Sequence, residues 1–234
     1  MNIRRKIHNL LHPKVGEIWM LHRVVEQRSK NPEQRVLEVT PDWLEQKILE
    51  YRKKGYAFVS IDDVSQFQVS GFRFQRFVCL TLDDGYRDNY TLARPLFERL
   101  GIPFVVYVTT GFIDNRREMW WYMGERLGIG TEELKQLDAD PLCTIGAHTV
   151  SHPKLDTLSY EEQYKEIADS KQHLEQLLGH PVHHFSFPHG AYNADTLAIC
   201  RELGFKTVVQ SWGGPVRRNM KYDVLPRINP IQYD

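Results

Sequence analysis

The side chains best able to do chemistry in this 234-residue chain stand at Asp83 and Asp84, inside the stretch VCLTLDDGYRDN from Val78 to Asn89. An apolar run closed by Asp-Asp-Gly reads as a core strand whose carboxylates emerge where the backbone turns away. Two neighbouring carboxylates at a strand end repel each other unless a cation or a shared proton lies between them. Partners for a cation occur at Gly146 to Pro153, GAHTVSHP, where His148 and His152 follow another short strand. Two imidazoles and one carboxylate suit a divalent transition metal with a position open to water, and the second carboxylate is then free to act as a base. Each motif alone is weak. A lone DDG is more often a turn with capping carboxylates, and HxxxH without a Glu after the first His is not the zinc-protease helix. In combination they point to metal chemistry.

Elements must carry these groups to one place. Ile18 to Val24 reads as a strand with His22 near its end, and Val36 to Val39 as a short extended segment. Thr40 and Pro41 open a helix that Gly55 ends. Ala57 to Ile61 is the next expected strand, followed by the DDG strand and a helix closed by Gly101. Ile102 to Val108, Cys143 to Ala147, His184 to Phe187, Phe205 to Val209 and Val224 to Ile228 complete the strands. Between them lie a helix at Thr131 to Leu137, a long helix with a Ser159/Glu162 capping box ended by Gly179, and a helix capped by Asn193. Alternation of this kind implies parallel strands with right-handed crossovers. His22, Asp83 and Asp84, His148, the Pro188-His189-Gly190 turn and Arg227 all fall at C-terminal strand ends. Periodicity alone fits a closed barrel or an open doubly wound sheet, but a closed barrel brings such ends to one mouth, so a single α/β domain over 1–234, closed as a barrel, is expected.

Totals exclude several other classes. Thirty basic side chains balance thirty acidic ones, so no global field favours nucleic acid or an anionic membrane. Cys79, Cys143 and Cys200 have no CxxC spacing and read as reduced thiols in a reducing compartment. No apolar h-region follows Arg4, Arg5 and Lys6, and no run is long enough to span a bilayer, so the cytoplasm is the expected location. Residues 1–16 form a basic extension. Its spacing of Ile3, Ile7, Leu10 and Leu11 suits a short helix that closes one end of the domain, or one that lies on a membrane surface.

LTLDDG, HTVSHP and the later FPHGAY, in that order, resemble the polysaccharide deacetylase family of metal-dependent carbohydrate N-deacetylases. The resemblance implies an irregular (β/α) barrel of seven strands, a divalent ion (zinc is expected) on Asp84, His148 and His152, and Asp83 as general base. It also implies that the backbone N–H of Tyr192, in the PHGAY turn, steadies the oxyanion. Two departures stand out. No histidine follows His189, where the best-known members carry a C-terminal Leu-x-His, and the nearest equivalent is Leu225-Pro226-Arg227. Nor is the Arg-x-Pro form of the third motif present. Arginine cannot serve as an acid near neutrality, so Arg227 is expected to orient Asp83, and His22 to protonate the leaving amine. Trp120 and Trp121 are expected at the rim against sugar rings, and His183, His184 and His189 as structural or surface residues.

The activity expected is removal of an N-acetyl group from an amino sugar in a glycan or glycan precursor. With no export signal, a nucleotide-linked or lipid-linked saccharide is the favoured substrate form. A non-sugar amide, or a glycan-binding relative that has lost catalysis, are the alternatives. Metal identity and oligomeric state are left open by the sequence.

Overall fold

The computed structural model describes residues 11–70, 76–122, 125–218 and 222–233. Most of the expected basic N-terminal helix lies outside these residues. Strands β1 (Lys14–Leu21), β2 (Arg23–Val24), β3 (Glu38–Val39), β4 (Ala57–Phe58), β5 (Phe77–Leu82) and β6 (Phe104–Val108) occupy the first half. β7 (Cys143–Ala147), β8 (His184–Ser186), β9 (Thr207–Gly213), β10 (Val216–Arg217) and β11 (Leu225–Arg227) follow. Helices α1 (Pro41–Lys53), α2 (Ile61–Ser70), α3 (Arg94–Leu100), α4 (Thr131–Asp138), α5 (Tyr160–Leu178) and α6 (Ala194–Glu202) connect them.

The main sheet runs β10-β1-β5-β6-β7-β8-β9-β11, with β1, β5, β6, β7, β8, β9 and β11 mutually parallel. Its ends meet. The Met20 amide donates to the Ile228 carbonyl at 2.8 Å and the Ile228 amide to the Ile18 carbonyl at 2.9 Å, which closes β11 onto β1. Among the described residues the ring therefore has the seven parallel strands expected. β10 covers the start of β1 in antiparallel pairing, and β4 pairs with the start of β5.

Strand alternation divides the core in two. Val78, Leu80 and Leu82 of β5 face the helices, packed with Phe104, Val106, Phe97 and Phe185. Phe77 and Cys79 point into the barrel with Ile18, Val105, Tyr107 and Val209. The inward row continues through Thr81, so the next inward position, at the strand's end, is Asp83. Cys79 and Cys200 are buried free thiols, while Cys143 is half-buried. Among the described residues no helix is long and apolar enough to cross a membrane.

Two local readings need correction. Ala57 to Ile61 is not one strand: β4 is two residues long, and Ile61 begins a helix. Ser60 and Asp63 cap it reciprocally, the Ser60 amide donating to Asp63 at 3.0 Å and the Asp63 amide to Ser60 Oγ at 3.1 Å. Likewise Ile18 to Val24 is not continuous. β1 begins earlier, at Lys14, and stops at Leu21, and His22 interrupts the chain before β2.

Candidate active site

Asp83 and Asp84 leave β5 in different directions because Asp84 takes a left-handed backbone, φ 78°. This conformation is costly for a non-glycine residue and turns its carboxylate away from that of its neighbour. Arg227 of β11 meets Asp83. Its Nη1 donates to Oδ1 at 2.7 Å and its Nη2 to Oδ2 at 2.6 Å. The same guanidinium donates to Thr81 Oγ1 and Ser186 Oγ, each at 2.9 Å, and to the Gln210 carbonyl at 2.8 Å. Arg227 is 0% exposed. Burial alone would raise the Asp83 carboxyl, but the Arg227 charge and hydrogen bonds outweigh it and hold the pKa below its ordinary value.

Asp84 has different neighbours. His148 Nε2 lies 3.4 Å and His152 Nε2 3.2 Å from Asp84 Oδ1, an oxygen that is buried with no hydrogen-bond partner. His148 Nδ1 is 2.7 Å from the Ser186 carbonyl, which can only accept. Nδ1 therefore carries the proton, and the lone pair sits on Nε2, toward Asp84. One ligand atom from each of Asp84, His148 and His152 falls within 4.8 Å of the others. A buried orphan oxygen facing two imidazoles, one fixed in the ligating tautomer, fits a divalent cation. Burial opposes ionisation of Asp84, yet the flanking imidazoles hold its pKa well below the carboxylate range.

The loop bearing the histidines is held from behind. Thr149 and His152 take left-handed conformations, φ 66° and 62°. Glu166 of α5 steadies the bend by accepting from the Val150 and Ser151 amides, both at 2.9 Å, and from Ser151 Oγ at 2.7 Å.

Asp83, Asp84, His148, His152, Arg227 and His22 all border one cavity of about 570 Å³. Burial pushes the His22 imidazole below its ordinary pKa, while the charges of Asp84 and Asp83 act in the other direction. Trp120 and Trp121 line the same cavity. Trp121 donates to Tyr86 Oη at 2.6 Å and sets its ring 4.8 Å from that of His152. Tyr192 is not among the lining residues. Its ring stacks on Phe187 at 4.7 Å, and its hydroxyl is 3.4 Å from Gln210 Oε1.

Two aromatic rings of the lining escaped the sequence reading. His189, expected as a structural or surface residue, turns into the cavity because it adopts φ 57° inside the Pro188–Gly190 turn. Its ring lies 4.6 Å from His152, and burial lowers its pKa to about 4. Trp212 was missed because β9 runs four residues past the expected end at Val209. By contrast His184 is buried at the other end of β8, 2.8 Å from Thr207 Oγ1 and 3.3 Å from Asp62.

Residues 73–208 match the sequence model of the polysaccharide deacetylase family. Over 212 residues the chain is 24% identical to the polysaccharide deacetylase homologue YxkH of Bacillus subtilis, which covers 90% of this chain and 70% of that protein. A shorter stretch of 92 residues is 30% identical to a chitooligosaccharide deacetylase of Azorhizobium caulinodans, covering 37% of this chain and 44% of the relative. Among solved structures, the Streptococcus pyogenes deacetylase PplD in complex with acetate superposes with a TM-score of 0.76 at 27% identity, over 93% of this chain and 92% of that one. IcaB from Ammonifex degensii superposes at 0.80 over 94% of both chains with 21% identity, a likeness of fold.

Proposed function

The chain belongs to the polysaccharide deacetylase family, and from that premise we propose a metal-dependent hydrolase that removes the N-acetyl group from an amino sugar in a glycan or glycan precursor. One observation carries this reading: a buried, partnerless Asp84 oxygen facing two imidazoles, beside an arginine-paired Asp83, in one cavity.

Asp84, His148 and His152 would hold the ion, with zinc expected from the donor set. When bound, the ion supplies Lewis-acid polarisation of the acetyl carbonyl and makes water a better nucleophile at neutral pH. The chain's own residues do the rest. Asp83, kept ionised by Arg227, accepts the proton of the attacking water. Both Asp83 oxygens are already engaged by Arg227, which fixes the carboxylate plane and leaves further lone pairs for that proton. His22 borders the same cavity and is assigned the proton that the departing amine needs. The Tyr192 backbone N–H keeps its proposed place as oxyanion donor, and Trp120 and Trp121 theirs as surfaces for sugar rings.

Zinc-reconstituted protein incubated with N-acetylated saccharides, nucleotide sugars and small amides, with loss of acetyl read by mass spectrometry, tests the proposal. Deacetylation of a saccharide supports it. Turnover confined to small amides moves the substrate outside carbohydrates, and saccharide binding without turnover makes the protein a glycan-recognition module.

A further inference from the structure

A side chain that is to ligate a metal ion is normally held in its ligating orientation by a partner behind it. His148 has one, since its Nδ1 donates to the Ser186 carbonyl at 2.7 Å. His152 does not. Its Nε2 faces Asp84, so a neutral ring in the ligating tautomer carries its proton on Nδ1. That nitrogen is buried with no hydrogen-bond partner. The ring thus forgoes a hydrogen bond and, with it, the restraint on its own rotation. Glu166 secures the loop only at Val150 and Ser151.

Aromatic rings crowd His152 instead. The ring centre of His189 lies 4.6 Å away, that of Trp121 4.8 Å and that of His148 5.0 Å, all within the span of favourable ring contacts. His189 meets His152 at 62° and Trp121 at 48°, so neither is a flat stack that the ring could slide along.

Trp121 and His189 are themselves fixed. Trp121 Nε1 donates to Tyr86 Oη at 2.6 Å, and the indole meets Phe112 edge-on at 5.7 Å. Tyr86 is fully buried and its backbone pairs with Gly128. A Cβ at Gly128 would lie 2.0 Å from the Phe112 carbonyl oxygen, so this close approach requires glycine. Through Tyr86 the indole ties the ring of His152 to the turn that carries Asp84. His189 is set by its own turn, in which the Gly190 amide donates to the Phe187 carbonyl at 2.9 Å and the Ala191 amide to the Pro188 carbonyl at 3.0 Å.

Resting on the metal site of the deacetylase reading, we propose that Trp121 and His189 are positioning residues for His152, their rings taking the place of the absent hydrogen bond and keeping Nε2 toward Asp84. His189 is no ligand itself: the ligand atoms that lie within 4.8 Å of one another belong to Asp84, His148 and His152.

Zinc binding to the metal-free protein, followed by competition with a chromophoric chelator, tests this without turnover. Trp121→Leu and His189→Ala should each weaken zinc affinity about tenfold, the low end for the support of a metal ligand. His189→Phe keeps a ring but has neither nitrogen, and should recover most of the parent affinity. Circular dichroism of the zinc-free variants should show the parent fold; where Trp121→Leu does not fold, the two His189 variants decide alone. Parent-like affinity in the truncated variants overturns the proposal, because His152 then keeps its orientation unaided. Equal weakening in His189→Phe and His189→Ala also overturns it, because a His189 nitrogen is then what matters. Failure of the deacetylase reading looks different: zinc affinity falls and recovers as stated, yet the loaded protein releases no acetate from any saccharide. A parent protein that takes up no zinc overturns both.

Discussion

Asp83 meets its countercharge within the chain, since Arg227 donates to both of its oxygens from a strand far away in sequence. Asp84, one residue on and equally buried, has two imidazoles facing an oxygen, Oδ1, that no hydrogen bond satisfies. A protein can bury a carboxylate by supplying the partner itself or by leaving room for one from outside. The first arrangement makes a rigid group in a fixed charge state. The second makes a binding site. That both occur at consecutive residues follows from the left-handed backbone of Asp84, which separates two side chains that would otherwise crowd.

The largest effect should come from emptying the second arrangement. His148→Ala combined with His152→Ala is expected to abolish stoichiometric zinc binding and all turnover, measured by elemental analysis and acetate release, since a lone carboxylate does not hold zinc. Full zinc content in that variant would break the comparison at its metal side. Breaking the first arrangement should show in stability. Arg227→Met strands a buried carboxylate and is expected to lower the unfolding free energy of the zinc-free protein by about 3–5 kcal/mol in denaturant titrations, with Asp83→Asn/Arg227→Met recovering much of it. A change near zero would mean that Asp83 is neutral in the folded chain.

His22→Ala touches neither arrangement directly. It is expected to slow amide hydrolysis by roughly 10²-fold, the low end for a positioned acid, and to spare an activated acetyl ester whose leaving group needs little protonation. Equal losses on both substrates would assign His22 to packing. Smallest is the effect of Glu166→Gln, which loosens the loop behind His152. Zinc affinity should weaken by about tenfold with the rate at saturating zinc unchanged, as for other supports of metal ligands. An unchanged zinc affinity would make Glu166 a helix anchor alone.

What the sequence disclosed and what it hid follow the same physics. α1 and α5 were legible because their caps are local: Thr40 Oγ1 accepts from the Trp43 amide at 3.3 Å, and Ser159 and Glu162 cap each other. The α2 start was misplaced: the apolar run Ala57 to Ile61 reads as a strand, and the Ser60–Asp63 cap within it went unrecognised. Asp84, His148 and His152 could be grouped because all three follow strands of a ring that closes, Asp84 just after β5 and both histidines on the loop after β7. His189 and Trp212 could not. His189 enters the cavity through a single positive φ, and Trp212 through a strand extension that depends on pairing with β11, neither of which local pattern records. Strand alternation has no say over a turn residue such as His189.

The comparison of the two aspartates is tested most directly by measuring zinc content and acetate release in Asp83→Asn and Asp84→Asn side by side. Asp83→Asn should retain one zinc per chain and lose turnover by about 10²–10⁴-fold, the contribution of a positioned base. Asp84→Asn should lose both the zinc and the turnover. Zinc retained equally by the two variants, or parent-level turnover in Asp83→Asn, would contradict the division of labour between these neighbouring carboxylates.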